Sequence, residues 1–414
     1  MRKPFILLLI LISLLVGCGS GQTDGAVELD VALWDPDVSE AVAKSVQAFE
    51  EKHPDVNVNV TYTPYNDYFT RLRTSLAGKK GPDVFWMNGP NFYQYASLGL
   101  IKNLQPLIER DNLDTSVYTP ALKELYAYDQ KLYGLPYFQD VIGLFFNKKL
   151  FDEAGIPYPD ETWTWETVEE VGRKLTDQKN GIYGYIAPYS NQQGYYNYIH
   201  QAGGYVIKEG KTLSGFDAPE AKSAFKWMKR MMDEGISPTA KTQIESGINQ
   251  IFGSGKAAML PQISVNAPVL YDMLGEDLGV APLPKGKERA TIIHGLSWVM
   301  NSNTKSEKLA WELLKTLSNK QSEQWLAETG FSIPAYKGTE DAWIKSIPSV
   351  DLQVFIDSLE FGVPYPVSEN TTKWQDVENE EIQKMLLGQT SIDEATEAVA
   401  EKMNEILADQ SKGP

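Results

Sequence analysis

Residues 131–150, KLYGLPYFQDVIGLFFNKKL, constrain the fold more than any other stretch of the sequence. Their apolar and aromatic residues predict two short strands, at 132–137 and 141–147. Gln139 and Asp140 lie between these strands, and the lack of a glycine-rich turn argues against a hairpin. The chain therefore runs on in one direction, as a segment does when it passes between two sheets. We expect two α/β lobes joined by a hinge strand, with Asp140 beside the cleft that separates them.

The length and composition of the chain are those of a folded protein with more than one domain. A single core rarely extends over 414 residues, and 42% hydrophobic with 11% aromatic residues exclude a disordered chain. The net charge of −17 repels nucleic acid and anionic lipids, so no nucleic-acid partner is expected and a neutral or cationic ligand fits better. Acidity that only keeps a surface protein soluble explains the charge equally well.

The N-terminus predicts export and lipid anchoring. Two basic residues precede the apolar run 6–16, which is too short to span a bilayer and leads into Leu-Val-Gly-Cys. This ending resembles the lipobox of bacterial lipoproteins, in which the cysteine is acylated with chains such as palmitate. We expect a signal peptide at 1–17, a lipidated Cys18 within a flexible tether at 18–26, and a location at the cell membrane, on its extracellular or periplasmic face. An ordinary secretory signal with a chance cysteine is the alternative.

The following part of the sequence predicts a parallel sheet. Residues 27–33 alternate as a strand, apolar residues at helical spacing follow, and 56–60 form the next strand. A strand–helix–strand unit pairs its strands in parallel, and a third strand is expected at 82–87. Near the C-terminus, a capping box at 391–394 predicts the start of a helix. Further strands are expected at 181–187, 257–260, 278–283 and 292–300, and a long helix at 218–233.

Signals for catalysis or metal binding are weak. The three histidines, His53, His200 and His294, have no metal-ligand spacing, and Cys18 is the only cysteine. The sequence contains no nucleophile elbow, no P-loop and no dinucleotide fingerprint. A carboxylate pair, as in a glycan-cleaving enzyme, stays open, although 55 acidic residues make chance proximity the better explanation. We therefore expect no enzyme, no cofactor and no metal.

Aromatic and amide residues at the ends of predicted strands point to a ligand site. Trp34 ends the first strand, Trp86 and Asn88 end the third, and Asp140 lies at the hinge. Open α/β sheets bind ligands at the carboxyl ends of their strands. An indole face beside amide and carboxylate groups suits a sugar, whose C–H face stacks while its hydroxyls form hydrogen bonds. The alternative for these aromatic residues is packing in the core.

Six short motifs occur in the order that is found in one known family. They are Gly-Pro-Asp-Val at 81–84, Tyr-Gly-Leu-Pro-Tyr at 133–137, Phe-Asn-Lys at 146–148, Gly-Lys-Ala-Ala-Met at 255–259, Pro-Leu-Pro at 282–284 and Gly-Phe-Ser-Ile-Pro at 330–334. On these motifs the chain resembles the maltose-binding-protein-like extracellular solute-binding proteins of ABC sugar importers. The resemblance implies an α/β, type II periplasmic-binding-protein-like fold, with lobe one at 27–137 plus 291–335 and lobe two at 138–290 plus 336–414.

The resemblance also implies a ligand site and a function. The implied contact residues lie after strands, at the hinge and towards the C-terminus: Trp34, Asp35, Trp86, Asn88, Asp140, Gln262, His294, Gly295, Phe331, Tyr365 and Trp374. The implied function is capture of a mono- or oligosaccharide by cleft closure and its delivery to the permease subunits, by a monomer without a cofactor. A lipid-anchored glycan-cleaving enzyme and a structural surface adhesin stay open as alternatives. The identity of the sugar stays open too, since polyols and glycerol-phosphate diesters also occur as ligands in the family.

Overall fold

The computed structural model describes residues 26–208 and 210–410, the last of these by its backbone alone. The predicted signal peptide, Cys18 and most of the predicted tether lie outside these residues. Within the described ranges, no helix is both long enough and apolar enough to cross a membrane.

Strands and helices alternate along most of the described chain. The strands are β1 (Val27–Leu33), β2 (Val56–Tyr62), β3 (Val84–Asn88), β4 (Ala127–Tyr128), β5 (Lys131–Leu132), β6 (Gly134–Asn147), β7 (Met259–Ile263), β8 (Leu278–Ala281), β9 (Thr291–Met300), β10 (Ile333–Pro334) and β11 (Gly362–Pro364). The α-helices are α1 (Ser39–Glu50), α2 (Tyr65–Ala77), α3 (Gly89–Ser97), α4 (Gln105–Asp111), α5 (Pro120–Leu125), α6 (Lys148–Ala154), α7 (Trp165–Leu175), α8 (Tyr196–Gln201), α9 (Pro219–Asp233), α10 (Ala240–Ser246), α11 (Ile248–Ile251), α12 (Ala267–Leu274), α13 (Glu307–Leu317), α14 (Lys320–Glu328), α15 (Asp341–Ile344), α16 (Gln353–Ser358), α17 (Thr371–Leu386) and α18 (Ile392–Gln410).

The N-terminal part of the described chain forms the predicted parallel sheet. β1 pairs with β2 from Val27↔Val56 to Leu33↔Tyr62, and β1 pairs with β3 in parallel on its other side. Parallel pairing follows from the connection, because a helix carries the chain back before each new strand begins. The strand–helix–strand unit and the third strand predicted from the sequence are confirmed.

β6 carries the chain from one sheet into another. Its first half pairs antiparallel with β9, from Gly134↔Val299 to Val141↔Ile293, and its second half pairs with β7 and β8. The register shifts just after Pro136, which has no N–H to donate to the ladder, so the strand continues through an irregularity. The predicted crossing is confirmed, and the two short strands expected there form one long strand. The residue ranges given for the two lobes stay a prediction.

Residues 181–187 do not form the predicted strand. Backbone bonding there is scattered: the N–H of Tyr183 donates to the carbonyl of Lys256 at 2.9 Å as an isolated bridge. Gly184 lies so close to α7 that a Cβ atom would be 1.9 Å from the carbonyl oxygen of Gly172. Close packing against a helix backbone thus replaces pairing with a neighbouring strand, and the periodicity of the sequence does not reveal that contact.

An aromatic cluster fills the core beside the crossing. Trp86 on β3, Tyr137 on β6 and Trp298 on β9 are each less than 2% exposed. The ring centroids of Trp86 and Trp298 lie 5.7 Å apart, and those of Tyr137 and Trp298 lie 5.4 Å apart. Because buried aromatic rings contribute large apolar areas and pack in defined orientations, this cluster fixes the relative positions of three strands that lead to the cavity described below.

The start of α18 confirms the predicted capping box. The Ser391 hydroxyl accepts a hydrogen bond from the backbone N–H of Glu394 at 3.2 Å. The Glu394 carboxylate in turn accepts from the backbone N–H of Ser391 at 2.9 Å. These reciprocal bonds satisfy two donors at the start of the helix, as the sequence pattern predicts.

Candidate functional site

A cavity of about 900 Å³ lies where β1 and β3 end and where β6 crosses between the sheets. Residues that are distant in sequence meet there. Seven of the residues predicted as ligand contacts line the cavity: Trp34, Asp35, Asn88, Asp140, His294, Phe331 and Tyr365.

Trp86 and Trp374, which were also predicted as contacts, lie in the core behind the cavity. Both side chains are 0% exposed. Trp34, which does line the cavity, packs edge-on against Trp86 with ring centroids 4.9 Å apart. The indole nitrogen of Trp374 donates to the hydroxyl of Ser368 at 3.0 Å. The structure therefore gives both residues a packing role and does not place them on the cavity surface.

Gln262 and Gly295 are also held away from the cavity surface. Gln262 is 3% exposed, and its amide nitrogen donates to the side-chain oxygen of Asn249 at 2.7 Å. The carbonyl of Gly295 accepts a hydrogen bond from the Tyr126 hydroxyl at 2.5 Å. A Cβ atom at position 295 would lie 2.8 Å from the backbone carbonyl oxygen of Phe138, so close packing against β6 requires the glycine. Neither residue supplies a free group to the cavity in this geometry.

The orientation of the Trp34 ring is fixed by its aromatic neighbours. Tyr65 and Tyr68 of α2 meet the indole edge-on, at centroid distances of 5.6 and 5.0 Å. Trp34 itself is only partly buried and keeps some of its surface on the cavity. A ring that is held in place and still exposed is a suitable stacking surface for the apolar face of a ligand.

Asn88 marks the point where β3 ends and α3 begins. Its side-chain oxygen accepts from the backbone N–H and the side-chain amide of Asn91, at 3.3 and 2.9 Å. Its amide nitrogen donates to the Tyr65 hydroxyl at 3.0 Å. The helix cap thus places two carboxamides and a phenol together at the edge of the cavity, and all three side chains line it.

Asp140 is a buried carboxylate at the crossing. It is 2% exposed, and one carboxylate oxygen accepts from the hydroxyls of Ser264 at 3.0 Å and Ser332 at 2.9 Å. Burial raises the pKa of Asp140 to about 6, against the effect of these hydrogen bonds. No cation is among the described groups that surround it. A carboxylate with remaining acceptor capacity therefore faces the cavity.

His294 lies opposite Asp140 in the ladder between β6 and β9. Burial lowers the pKa of His294 to about 4, so the imidazole is neutral at neutral pH. Its ring meets the ring of Tyr365 at a centroid distance of 5.4 Å and an angle of 86°. The histidine therefore adds no positive charge to the cavity.

Besides Asn91, four carboxamide residues that the sequence did not single out line the cavity. Asn191 and Gln192 belong to the π-helical turn Asn191–Tyr195, Asn266 precedes α12, and Gln375 lies on α17. For Asn191 and Gln192, a sequence signal exists in the Asn-Gln-Gln-Gly run at 191–194, since consecutive carboxamides before a glycine are typical of a polar turn. Asn266 and Gln375 lie outside this run.

The lining as a whole combines ring faces with hydrogen-bonding groups of low charge. Its charged members are Asp35, Asp37 and Asp140, and none of the described lining residues is a lysine or an arginine. The described residues also contain no group of histidines, cysteines and carboxylates that could hold a metal ion. Carboxamides both donate and accept, so this arrangement can bind a neutral ligand with many hydroxyl groups and an apolar face.

Two sheets that share one crossing strand, with a polar cavity at the crossing, define a binding protein of the type II periplasmic class. The chain belongs to the family described as bacterial extracellular solute-binding protein, whose sequence profile matches residues 35–324. The predicted family and the predicted two-lobe α/β fold are therefore confirmed. The members of this family are binding proteins, so the prediction that the chain is no enzyme is confirmed and the glycan-cleaving alternative is overturned.

Named relatives and solved structures agree with this assignment. The chain is 29% identical to the galactooligosaccharide-binding protein of Bacillus subtilis over 78% of this chain and 77% of that protein. It is 25% identical to the maltotriose-binding protein of Pyrococcus abyssi over 80% and 71% of the two chains. The ABC substrate-binding protein Lmo0181 of Listeria monocytogenes, in complex with cycloalternan, is 26% identical and superposes with a TM-score of 0.82 over 92% of this chain and 99% of that one.

Proposed function

We propose that the chain captures a neutral carbohydrate in the cavity at the crossing and delivers it to the permease of an ABC importer. The observation that carries this proposal is the lining of the cavity, in which ring faces, carboxamides and one buried carboxylate meet without a lysine or arginine among the described residues. Hydroxyl groups of a sugar both donate and accept, as these carboxamides do. The sugar-binding names of two relatives support the same ligand class.

In this proposal each kind of lining residue makes a different kind of contact with the sugar. The faces of Trp34 and Phe331 stack on the apolar side of the sugar, and Asn88 exchanges hydrogen bonds with its hydroxyls. Asp140 accepts a sugar O–H in its ionised form, which makes a strong hydrogen bond. Tyr365 and His294 close the same surface through their edge-to-face contact.

Capture proceeds by closure about the strands that cross between the sheets. β6 and β9 pair along the first half of β6, and β6 then continues into the second sheet. A ligand that touches residues carried by both sheets binds the closed arrangement better, and this difference in affinity drives closure. The two lobes that approach each other comprise residues 27–137 plus 291–335 and residues 138–290 plus 336–414.

The N-terminal segment supplies the attachment to the membrane. The signal peptide at 1–17 is removed, Cys18 is acylated, and the tether at 18–26 holds the monomeric protein near the permease. Two or more acyl chains on one cysteine anchor stably, where a single chain binds only marginally. Replacement of Cys18 by serine is expected to move the protein from the membrane fraction to the soluble fraction. Retention in the membrane fraction would contradict the anchor.

A thermal-unfolding panel of mono- and oligosaccharides tests the ligand class. A ligand at one hundred times its Kd stabilises the folded state by about 2.7 kcal/mol, which is readily measured. Micromolar capture corresponds to about −8 kcal/mol of binding free energy. We expect at least one neutral sugar to raise the melting temperature and to release or absorb heat on titration. A broad panel that leaves the melting temperature unchanged would contradict carbohydrate capture.

A further inference from the structure

Glu378 on α17 is a buried carboxylate directly behind the cavity lining. Its side chain is 0% exposed. One oxygen accepts from the Tyr195 hydroxyl at 2.5 Å and the other from the Tyr196 hydroxyl at 2.6 Å. The side chain of Asn191 contributes a further hydrogen bond. No ion pair reaches Glu378 from the described residues, so its charge is held by neutral donors alone.

Two of the groups that bind Glu378, Asn191 and Tyr195, belong to the turn that carries two cavity residues, and the third, Tyr196, follows it as the first residue of α8. Tyr195 is the last residue of the π-helical turn Asn191–Tyr195. Asn191 and Gln192, at the start of the same turn, line the cavity. Gly194 has a non-helical conformation, and a Cβ atom there would lie 2.1 Å from the carbonyl oxygen of Pro188. The backbone of the turn is therefore irregular and depends on contacts from outside for its position.

A second anchor holds the same turn against the hinge. The amide nitrogen of Asn197 donates to the carbonyl of Gln192 at 2.7 Å, and its side-chain oxygen accepts from the backbone N–H of Ile292 on β9 at 2.9 Å. The Gln192 side-chain nitrogen is buried and makes no hydrogen bond with any described residue. The turn is thus fixed between the hinge and Glu378, while one of its amide donors is left without a partner in the described structure.

Glu378 is also connected to the cavity along its own helix. Gln375 lies one turn earlier on α17, and its amide nitrogen donates to the Tyr365 hydroxyl at 2.7 Å. The ring of Tyr365 packs against the ring of Tyr196 at a centroid distance of 5.5 Å. Gln375 and Tyr365 both line the cavity. One hydrogen-bonded and aromatic cluster therefore supports four lining residues, with Glu378 at its centre.

We propose that Glu378 is a positioning residue of the ligand site, whose ionised carboxylate holds the Asn191–Gln192 turn in its binding position. The expected effect of Glu378 on sugar affinity rests on the proposed function. It does not require a ligand for its effect on the turn itself. An ionised carboxylate accepts from both tyrosine hydroxyls at once, whereas a protonated one loses part of that acceptor capacity.

The surroundings of Glu378 leave it as the group that titrates near neutral pH. Burial raises its pKa to about 7. The titratable groups that face it are the phenols of Tyr195, Tyr196 and Tyr365, whose pKa values burial raises above the usual 10. His294, beyond Tyr365, has a pKa that burial lowers to about 4. Asp140, which lines the same cavity as the turn, has a pKa of about 6. The part of a pH-dependent change in the turn that is lost in Glu378→Gln therefore reports on Glu378.

Nuclear magnetic resonance of the ligand-free protein tests the positioning directly. The side-chain amide signals of Asn191 and Gln192 are followed across neutral pH in protein labelled at asparagine and glutamine. We expect them to shift with a midpoint of about 7 in the native protein and to lose this transition in Glu378→Gln. Glu380→Gln, an exposed glutamate on the same helix that pairs with Lys384, is the matched control and should behave as the native protein.

Titration calorimetry with maltotriose measures the effect on affinity. Glu378→Gln is expected to weaken binding about tenfold, the size of one strong hydrogen bond, and Glu380→Gln to leave it unchanged. The double variant Tyr195→Phe, Tyr196→Phe, which keeps Glu378, should lose the same tenfold in sugar affinity. In protein that already carries Asn191→Ala and Gln192→Ala, Glu378→Gln should cause a smaller loss than it does in the native protein.

The two experiments separate the failure of this proposal from the failure of the proposed function. Side-chain amide signals of Asn191 and Gln192 that do not change with pH in the native protein would overturn the positioning role. So would signals that titrate in Glu378→Gln as they do in the native protein. Native protein that takes up neither maltotriose nor any other neutral sugar would contradict the proposed function, while the amide titration still decides the role of Glu378. Loss of affinity in Glu378→Gln that persists unchanged in the Asn191→Ala, Gln192→Ala background would also overturn it.

Discussion

The cavity joins two groups of residues that are built in different ways. The strand-end group consists of Trp34, Asp35, Asn88 and Asn91, which follow β1 and β3 or cap α3. The turn group consists of Asn191, Gln192, Tyr365 and Gln375, which lie on a π-helical turn, after β11 and on α17. The strand-end group is positioned by a parallel ladder and a helix cap. The turn group is positioned by contacts between distant parts of the chain.

This difference decides how far each group can be inferred from the sequence. A parallel ladder leaves a periodic pattern, and the residues at its end are found by counting along the strand. The turn group depends on Glu378, which bonds to Tyr195 across a sequence separation of 183 residues. No local pattern records a contact of that length. Asp140, on the strand that joins both sheets, belongs to neither group.

The largest effect is expected from Asp140→Ala. The variant removes a charged acceptor, and one hydrogen bond to a charged group contributes about 1.5–3 kcal/mol, so affinity should fall by about ten- to a hundredfold. The hydroxyls of Ser264 and Ser332 also lose their acceptor. Titration calorimetry with the sugar found in the unfolding panel gives the affinity, and circular dichroism confirms that the fold is intact. Unchanged affinity would remove Asp140 from the site.

Affinity is expected to depend on pH through the same carboxylate. With a pKa of about 6 for Asp140, affinity should fall about tenfold between pH 7 and pH 5 if the ionised form accepts the sugar hydroxyl. Folding stability should change in the opposite sense. The folded state binds a proton more tightly than the unfolded state, so the contribution of Asp140 to the unfolding free energy decreases as pH rises from about 4 to about 6. Asp140→Asn, which cannot titrate, should lose the contribution of Asp140 to both effects and keep the contribution of Glu378.

Trp34→Leu tests whether the strand-end group supplies a stacking face. We expect affinity to fall about tenfold, or ~1.4 kcal/mol, because the flat indole surface is lost. Trp325→Leu on α14, a partly buried tryptophan away from the cavity, is the matched control and should retain native affinity. Equal losses in both variants would show that the effect comes from general destabilisation and would contradict stacking at Trp34.

The smallest effect is expected in the turn group, from Tyr365→Phe. The variant removes the hydroxyl that accepts from Gln375 at 2.7 Å and keeps the ring packing. A neutral hydrogen bond contributes about 0.5–1.5 kcal/mol, so affinity should fall about two- to tenfold. Gln375→Ala should match this loss, and the double variant should lose no more than either single one. Full additivity in the double variant would contradict the coupling of these two side chains.

The sequence predicted the strand at the crossing, Asp140 beside it and the strand-end residues Trp34 and Asn88. It did not predict that Trp86 lies in the core. The ring of Trp34 packs edge-on against that of Trp86, with centroids 4.9 Å apart, and the position of a residue along its strand does not reveal such a contact. It also predicted a strand at 181–187, where Gly184 instead packs directly onto the backbone of α7. In each case a tertiary contact overrides a pattern that is locally correct.

Distance measurement between spin labels tests the central claim, that a neutral sugar closes the molecule about the crossing strand. Labels are attached through Leu98→Cys and Ile244→Cys, two exposed positions away from the cavity lining, in a chain that also carries Cys18→Ser. Pulsed electron resonance then gives the label separation with and without sugar. The account predicts that a saturating neutral sugar shortens the separation by more than about 2 Å and that Asp140→Ala shifts this change to a higher sugar concentration, in proportion to its loss of affinity. An unchanged separation in the presence of a sugar that demonstrably binds would contradict it.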